Sequence, residues 1–326
     1  MRAASYTRNG PARDVLEVGE LPTPEPAAGE VRVRLHASGV NPSDVKGRMG
    51  RPLAGPRVVP HSDGAGIVEA VGPGVPAGRI GERVWIWNGQ WQRPFGTAAE
   101  YIVLPADQAV RLPERVSFEA GACMGIPALT AVQAVRLLGP VAGRTILVTG
   151  ASSAVGHYVT QIAAQAGARV LGTVGSPTKA EHARAAGAEA TIAYKTEDVA
   201  GRVKELTQGR GVDGIVDMDL SSTARLLPDG VLASHGRLVC YGSNVPGDVT
   251  VPFRDLLFRS IDLRFFLVYD LTPEDRRTAL ASLNAMLEAG SLAHTVGARF
   301  PLDGIVDAHE AVEAGSVLGN VVIDLT

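Results

Sequence analysis

The chain has 326 residues, of which 45% are hydrophobic and 20% charged, a composition typical of a globular protein long enough for two domains. Its formal net charge of −3 gives no basis for expecting a nucleic acid or an acidic membrane surface as a partner. Two cysteines, Cys123 and Cys240, exclude a disulfide framework and favour a reducing compartment, so we expect a cytoplasmic protein. The N-terminal stretch has no apolar core like that of a signal peptide, and no apolar run reaches the ~18 residues of a membrane span.

The first 120 residues predict a β-rich domain. In "EVRVRLHASGVN", the apolar residues Val31, Val33 and Leu35 alternate with polar neighbours, which indicates a half-buried strand. Further short apolar runs bounded by glycines predict more strands at 62–75, 80–87 and 96–105.

From about Ala120 onward, predicted strands alternate with predicted helices. The six strands of this part are predicted at 145–150, 168–175, 189–194, 212–219, 236–242 and 261–268. Such alternation implies parallel pairing through right-handed crossovers, as in a doubly wound nucleotide-binding sheet. After about Leu271 an amphipathic helix is predicted, followed by a final strand able to rejoin the N-terminal β-domain.

The segment "VTGASSAVG", which follows the first of these six strands, resembles a dinucleotide-binding turn but lacks the usual G-x-G-x-x-G glycines. Small residues can meet the needs for a sharp turn and a close approach to the pyrophosphate, and Gly156 allows close contact of helix and strand. The phosphate would be bound by the first helical amides with Ser152 and Ser153, next to Ala154 and Val155. The alternative is an ordinary strand–turn–helix crossover.

The same turn is locally similar to the "TGASSGIG" turn of short-chain dehydrogenases. Those proteins carry the turn near the N-terminus and a catalytic Tyr-x-x-x-Lys after it. Here the turn begins at Thr149, and none of four tyrosines has a lysine four residues later: Tyr158, Tyr194, Tyr241 and Tyr269. We therefore reject the short-chain interpretation.

Seven segments spread along the chain share a pattern: "GVNPSD" (39–44), "SDGAGIVEAVGPGV" (62–75), "GERV" (81–84), "GTAAEYIVLP" (96–105), "GIPALTA" (125–131), the turn itself and "GTVGSPTKAE" (172–181). Through them, nearly the whole chain resembles the zinc-independent quinone oxidoreductases, the zeta-crystallin-like group of the medium-chain dehydrogenase/reductase superfamily. This resemblance implies an α/β fold, with a doubly wound parallel Rossmann sheet and a GroES-like β-domain formed from both ends of the chain. We expect the GroES-like catalytic domain at 1–122 and 272–326 and the nucleotide-binding domain at 123–271.

Related alcohol dehydrogenases bind a catalytic zinc through two cysteines and a histidine. Here Asn41 and Ser62 stand at two of those positions, the third falls near Ile126, and Cys123 lies three residues early. With two cysteines in all, no tetrahedral thiolate site can be built, so we expect no metal; weak metal binding by His61 with Asp63 is the alternative. Without zinc to polarise an alcohol, reduction of an already activated acceptor is the expected chemistry.

The region ~20 residues past the turn predicts the choice of nicotinamide cofactor. An NAD site places an acidic residue there, but this chain has Gly175 and Ser176, followed by Lys179. Hydroxyl and ammonium donors suit a 2′-phosphate, so NADPH is favoured. The resemblance implies the same role for Lys179 and adds Tyr194. The alternative for Lys179 is a solvated helix residue, and the alternative for Tyr194 is a partly buried strand end.

Ligands of such sheets bind at the carboxyl ends of the strands, which adds the strand ends at Asp217, Tyr241–Gly242–Ser243 and Phe266–Leu267 as cofactor contacts. By resemblance, Thr130 and Asn320 contribute further contacts, although the family often has a lysine at the position of Asn320.

The reacting centre is predicted around Asn41, the active-site position of the family, where an amide can hydrogen-bond the acceptor oxygen or the cofactor. A structural role before Pro42 is the alternative. The family often carries tyrosines at the positions of Lys46 and Pro52, which this chain lacks. Lys46 is a candidate to stabilise a developing enolate or hydroquinone oxygen, or is simply solvated.

The segment "VWIWNGQW" supplies a candidate wall for a flat substrate. Alternation predicts that Trp85 and Trp87 share a face, and Trp87 and Thr130 are the predicted pocket residues; core packing is the alternative for the tryptophans.

The main functional hypothesis is an NADPH-dependent, zinc-free reductase of quinones or related conjugated carbonyls. An enoyl or 2-alkenal reductase of the same fold, and a non-catalytic NADPH-binding protein, are the alternatives. The apolar sixth strand is expected at a sheet edge, which predicts a homodimer.

Overall fold

The computed structural model describes residues 1–245 and 247–326. They form two compact units, one built from Met1–Ile126 with Met286–Thr326 and the other from Pro127–Ala285. The predicted domain bounds remain a prediction. No helix among the described residues is long and apolar enough to cross a membrane.

The strands, in chain order, are β1 (Arg2–Ser5), β2 (Glu17–Glu20), β3 (Glu30–Val40), β4 (Asp63–Val71), β5 (Arg83–Ile86), β6 (Tyr101–Pro105), β7 (Ala109–Arg111), β8 (Thr145–Val148), β9 (Arg169–Val174), β10 (Ala190–Ala193), β11 (Val212–Asp217), β12 (Leu232–Cys240), β13 (Asp262–Phe265), β14 (Val296–Pro301) and β15 (Asn320–Asp324).

The α-helices are α1 (Ala12–Val15), α2 (Pro42–Gly50), α3 (Phe118–Gly121), α4 (Leu129–Leu138), α5 (Ala154–Gln165), α6 (Pro177–Ala185), α7 (Val199–Leu206), α8 (Leu220–Thr223), α9 (Phe253–Phe258), α10 (Pro273–Ala289) and α11 (Ile305–Ala314). Short 3₁₀ turns lie at Ala77–Arg79, Ala106–Gln108, Ala224–Leu226, Val268–Asp270 and Leu302–Gly304, and a π-helical turn at Met124–Ala128.

The first unit is built on a seven-stranded sheet in the order β14-β15-β3-β4-β5-β7, with β6 also paired to β3. The alternation predicted for β3 is confirmed, since Val31, Val33 and Leu35 are buried in the core of this unit. The C-terminal strand β15 pairs antiparallel with β3, from Val321 opposite Val40 to Asp324 opposite Ala37. The prediction that the last strand rejoins the N-terminal β-domain is therefore confirmed.

Helix α2 leaves the end of β3 and is the element of this unit that carries the predicted reacting centre. Asn41 is its N-cap in an extended conformation, Pro42 occupies the first helical position, and Asp44 completes a capping box. Proline suits the first turn because its missing N–H has no helical partner there.

The second unit contains a six-stranded sheet in the order β10-β9-β8-β11-β12-β13. All its strand pairs are parallel, which confirms the predicted doubly wound fold. The strand order reverses between β8 and β11, and the crevice at such a switch point is where this fold binds its ligands. β13 lies at the edge, as predicted, but spans only four residues.

Candidate active site

The turn after β8 is held in a shape that requires glycine at its first position. Gly150 has a φ of +64°, and a Cβ there would lie 2.4 Å from the Met218 sulfur. Its N–H donates to Thr173 Oγ1 at 2.9 Å, while the Ala151 N–H donates to the Thr173 carbonyl at 3.0 Å. These bonds fix the turn against β9.

The start of α5 directs its amides out of this turn. Ser153 is the N-cap, and its hydroxyl oxygen accepts the Gly156 N–H at 3.0 Å. A Cβ on Gly156 would lie 2.1 Å from the Gly150 carbonyl oxygen, so the close approach of helix and strand needs this glycine. Ser152 is buried beneath the turn, whereas Ala154 and Val155 remain partly open. The arrangement fits an anion at the helix N-terminus.

The residues predicted to recognise a 2′-phosphate lie together after β9 and β10. A Cβ on Gly175 would contact the Tyr194 hydroxyl at 3.0 Å, so the tyrosine ring lies directly beside this loop with about half its surface exposed. Ser176 caps α6, accepting the Lys179 N–H at 3.3 Å. Hydroxyl donors from the loops after β9 and β10 therefore lie together at the carboxyl ends of these strands.

Asp217 ends β11 at the switch point, but its carboxylate lies inside the protein. It accepts the hydroxyls of Thr149 at 2.8 Å and Thr223 at 2.6 Å and is fully buried. Burial raises the pKa of Asp217. The side chain thus ties the ends of β8 and β11 together, and any cofactor contact here falls to neighbouring backbone.

The ends of β12 and β13, where cofactor contacts are predicted, lie side by side. The Phe266 N–H donates to the Cys240 carbonyl at 3.3 Å, and the rings of Tyr241 and Phe266 lie 6.5 Å apart. A Cβ on Gly242 would lie 2.3 Å from the Met218 carbonyl oxygen. Ser243 and Leu267 are exposed beside them.

Of three other predicted residues, Thr130 and Asn320 have structural surroundings and Lys46 is exposed. Thr130 lies buried in the first turn of α4. Asn320 begins β15, and both its backbone N–H and its amide donate to the Thr295 carbonyl, at 2.9 and 3.0 Å. Lys46 is exposed on α2.

The tryptophan segment does not follow one alternation throughout. β5 ends at Ile86, so Trp85 is a fully buried strand residue while Trp87 lies beyond the strand and is only partly buried. Trp87 donates its indole N–H to the Asp107 carbonyl at 3.2 Å. Trp85 and Trp87 therefore differ in burial, although the Trp87 N–H donates to the Gln108 carbonyl at 3.3 Å, next to the Ile86–Ala109 pair of β5 and β7.

Asn41 joins two buried carboxylates at the start of α2. Its amide nitrogen donates to Asp63 Oδ2 at 3.0 Å and its backbone N–H to Asp44 Oδ2 at 2.8 Å. The Ile126 N–H also reaches Asp63 Oδ2, at 3.1 Å. Burial raises the pKa of Asp44 to about 7 and the pKa of Asp63 well above its ordinary value, with Asp44 adding to the latter. Burial therefore favours the protonated form of both carboxyl groups.

The residues at the zinc positions of related dehydrogenases do not fit a zinc ion. Asn41 is committed to Asp63, the Ile126 N–H donates to the same carboxylate, and Ser62 offers only a hydroxyl. Cys123 is buried with its thiol donating to the Glu119 carbonyl at 3.2 Å, and burial raises its pKa, which opposes a thiolate ligand. Across residues 1–245 and 247–326, no group of three histidine, cysteine, aspartate or glutamate side chains is placed to hold a metal.

Sequence reasoning missed the polar interior behind Asn41. His61, His309 and Arg48 are all buried there. They are far apart in the sequence, and no sequence pattern indicated that they would meet. The capping pattern Asn41-Pro-Ser-Asp44 was visible and could have placed Asp44 at the helix start.

Comparison with known families defines the class of protein. Residues 27–114 match the alcohol dehydrogenase GroES-like domain, and residues 154–285 match the zinc-binding dehydrogenase domain. A GroES-like unit combined with this nucleotide-binding sheet defines a medium-chain dehydrogenase/reductase, and the chain is an oxidoreductase of that class.

Individual relatives narrow the class. The chain is 32% identical to human quinone oxidoreductase over 93% of its length and 91% of the relative's, and 34% identical to the Pseudomonas aeruginosa quinone oxidoreductase over 95% of each. A Burkholderia 2-haloacrylate reductase is 29% identical over 99% of this chain and 98% of its own length. The chain belongs to the quinone oxidoreductase family of this superfamily.

Solved structures agree on the fold over the full length of both chains. An NAD-dependent alcohol dehydrogenase gives a TM-score of 0.91 at 32% identity, and a mycobacterial protein complexed with NADPH gives 0.86 at 31%.

Proposed function

We propose that this protein is an NADPH-dependent, zinc-free reductase that transfers hydride to quinones or related conjugated carbonyls. The observation that carries the proposal is the grouping of Gly175, Ser176, Lys179 and Tyr194 after β9 and β10, in the same parallel sheet as the strand that leads into α5. The NADPH complex of the mycobacterial relative supports the same cofactor.

The residues present fit the phosphates of NADPH. The N-terminus of α5, which follows the turn at Ser153, offers its first amides to a pyrophosphate, and Gly156 allows the helix to lie close to this turn. Lys179 supplies a cation, and Ser176 and Tyr194 supply hydroxyls, for a 2′-phosphate. A carboxylate at this position would instead favour the free ribose hydroxyls of NADH, and residues 174–179 contain none.

When bound, NADPH supplies hydride from its nicotinamide ring. The protein's own task is to position the acceptor and to stabilise the negative charge that develops on its oxygen. Because the zinc positions hold no suitable donor set, that stabilisation falls to hydrogen-bond donors and cations. We assign it to Asn41 and Lys46, with Trp87 of the same unit as a pocket residue.

A second acceptor class is favoured by one specific observation. Lys46 places a cation where the resemblance expects a tyrosine, and a cation suits the enolate oxygen that develops when a conjugated C=C bond is reduced. The similarity to a 2-haloacrylate reductase supports this enoyl or alkenal alternative.

We also propose that two copies pair through the β13 edge. Five large apolar side chains are exposed on this edge and on neighbouring α9: Phe253, Leu257, Phe258, Phe265 and Leu267. An unpaired apolar edge strand presents free backbone groups to a second strand. A homodimer in a reducing compartment, the cytoplasm, fits this surface and the two buried thiols.

The experiment that tests the proposed function is to follow NADPH oxidation with a panel of acceptors. The panel contains 1,4-benzoquinone, 9,10-phenanthrenequinone, 2-alkenals and crotonyl thioesters. Turnover with quinones supports the main proposal, and turnover confined to alkenals or thioesters supports the alternative. Tight NADPH binding without turnover of any acceptor would contradict both.

A further inference from the structure

The Asn41–Asp63 hydrogen bond is one link in a closed ring of contacts within the first unit. Helix α2 leads from Asn41 to Arg48, whose Nε lies 3.4 Å from His309 Nδ1. From there, His309 Nε2 and His61 Nε2 are 2.9 Å apart, and His61 Nδ1 is 2.8 Å from Ser38 Oγ.

The ring then returns to its starting point through two hydroxyls. Ser38 Oγ lies 2.8 Å from Thr97 Oγ1, and Thr97 donates to the Asp63 carbonyl at 2.5 Å. Asp63 in turn accepts the Asn41 amide. Every side chain along this path is buried.

The direction of each hydrogen bond in the path is determined by its two ends. Arginine can only donate, so His309 Nδ1 must accept and its Nε2 must carry the proton. His61 Nε2 then accepts, so His61 carries its proton on Nδ1 and donates to Ser38. Ser38 therefore donates to Thr97, whose own proton goes to the Asp63 carbonyl. The path requires two neutral imidazoles with opposite tautomers.

An added proton would break this path at either imidazole. A proton added to His309 would sit on Nδ1, where it would face the Arg48 N–H. A proton added to His61 would sit on Nε2, where it would face the His309 N–H. In both cases two donors would meet without an acceptor. Burial lowers the pKa of His61 well below its ordinary value and, together with Arg48, lowers the pKa of His309 to about 3.

The groups facing the two imidazoles explain why they stay neutral. Arg48 lies against His309, and its own charge is balanced by the Glu313 carboxylate on α11, with Glu310 and Tyr6 farther off. Asp44 and Asp63 act on the far side, at the start of α2 and β4, through Asn41. Neither imidazole has a carboxylate hydrogen-bonded to it.

We propose that His61 and His309 are positioning residues of the reductase. Through their fixed tautomers they hold the Asn41–Asp63 pair, and with it the start of α2, in the geometry that serves the acceptor. The proposal rests on the proposed function in one respect, the placement of Asn41 and Lys46 at the reacting centre.

The backbone at His61 supplies a conservative variant. His61 has a φ of +76°, a left-handed conformation that asparagine tolerates better than most residues. In His61→Asn the amide can still donate to Ser38 but offers nothing at the Nε2 position, whereas His61→Ala removes both bonds. The two variants therefore separate the halves of the path.

Two measurements on the full-length protein test the proposal. The first is long-range ¹H–¹⁵N NMR of the histidine rings in the wild type, which reports each tautomer without any turnover. We expect neutral rings at pH 6, with the proton on Nε2 of His309 and on Nδ1 of His61. The reverse tautomers, or a charged ring, would overturn the proposal whatever the acceptor proves to be.

The second measurement is steady-state kinetics of the variants with the acceptor that the wild type turns over best. We expect kcat to fall at least tenfold in His61→Ala and several-fold less in His61→Asn, while KM for NADPH changes less than threefold. The control is His36→Gln, since His36 stacks on Phe118 in the same unit and lies outside the ring of contacts. Wild-type kcat in folded His61→Ala, or an equal loss in the control, would overturn the positioning role. Absence of any turnover by the wild type would instead reject the proposed function and leave the NMR result as the test of the path.

Discussion

Asn41 and Asp63 are joined by a hydrogen bond of 3.0 Å from carboxamide to carboxylate, in an interior where Asn41 is only 4% exposed. The contact shows that the predicted active-site asparagine also has a structural function. Without this amide, the Asp63 Oδ2 oxygen would still accept the Ile126 N–H.

We predict that Asn41→Ala lowers both stability and turnover. The lost hydrogen bond to Asp63 and the lost N-cap of α2 together cost about 1–3 kcal/mol, so the free energy of unfolding should fall by that amount. Urea unfolding and kcat, measured on the same preparation, check this. A variant that keeps full stability and loses only turnover would show that the hydrogen bond to Asp63 contributes little.

A second prediction concerns the pH dependence of stability. The pKa of Asp44 is raised to about 7 from 3.8, so folding favours its protonated form. The stability that this preference contributes is fully present below pH 3.8 and is lost as pH rises through 7. The Asp44→Asn variant cannot ionise and should gain on the wild type between pH 4 and 8, by up to about 4 kcal/mol. Urea unfolding across this range measures the difference, and a difference independent of pH would contradict the assignment.

The third prediction concerns the 2′-phosphate. Lys179→Ala should raise KM for NADPH about 10–100-fold, because a charge-assisted hydrogen bond contributes about 1.5–3 kcal/mol, and should change KM for NADH little. The matched control is Lys204→Ala, an exposed lysine on α7 of the same unit. Equal effects on both cofactors would reject the role of Lys179.

The sheet edge gives the fourth prediction. If two copies pair along β13, light scattering should give twice the chain mass of 34.0 kDa for the wild type. Phe265→Lys places a charge on the edge where the side chain is 61% exposed, and it should shift the mass to that of one chain. A monomeric wild type would rule out the pairing.

The fold was largely predictable because its signals are local and periodic. Alternation identified β3, and the regular succession of strands and helices identified the parallel sheet and its edge. Glycine requirements at Gly150 and Gly156 are likewise encoded in one short segment.

The interior of the candidate site was not predictable in the same way. His61 and His309 are 248 residues apart in the chain and meet only after β15 pairs with β3 and α11 packs near α2. The expectation that ligands bind at the carboxyl ends of strands placed Asp217 correctly at the end of β11. It does not specify where a side chain points, and the Asp217 carboxylate faces inward to Thr149. Trp87 was assigned to a strand that ends one residue earlier.

The central claim, a reductase that depends on NADPH, is tested most directly by comparing kcat/KM for NADPH and NADH with one saturating quinone acceptor. The account predicts quinone-dependent oxidation of NADPH, with a kcat/KM at least tenfold higher than that for NADH. Lys179→Ala should abolish this preference. Equal use of the two cofactors, or a preference for NADH, would contradict it.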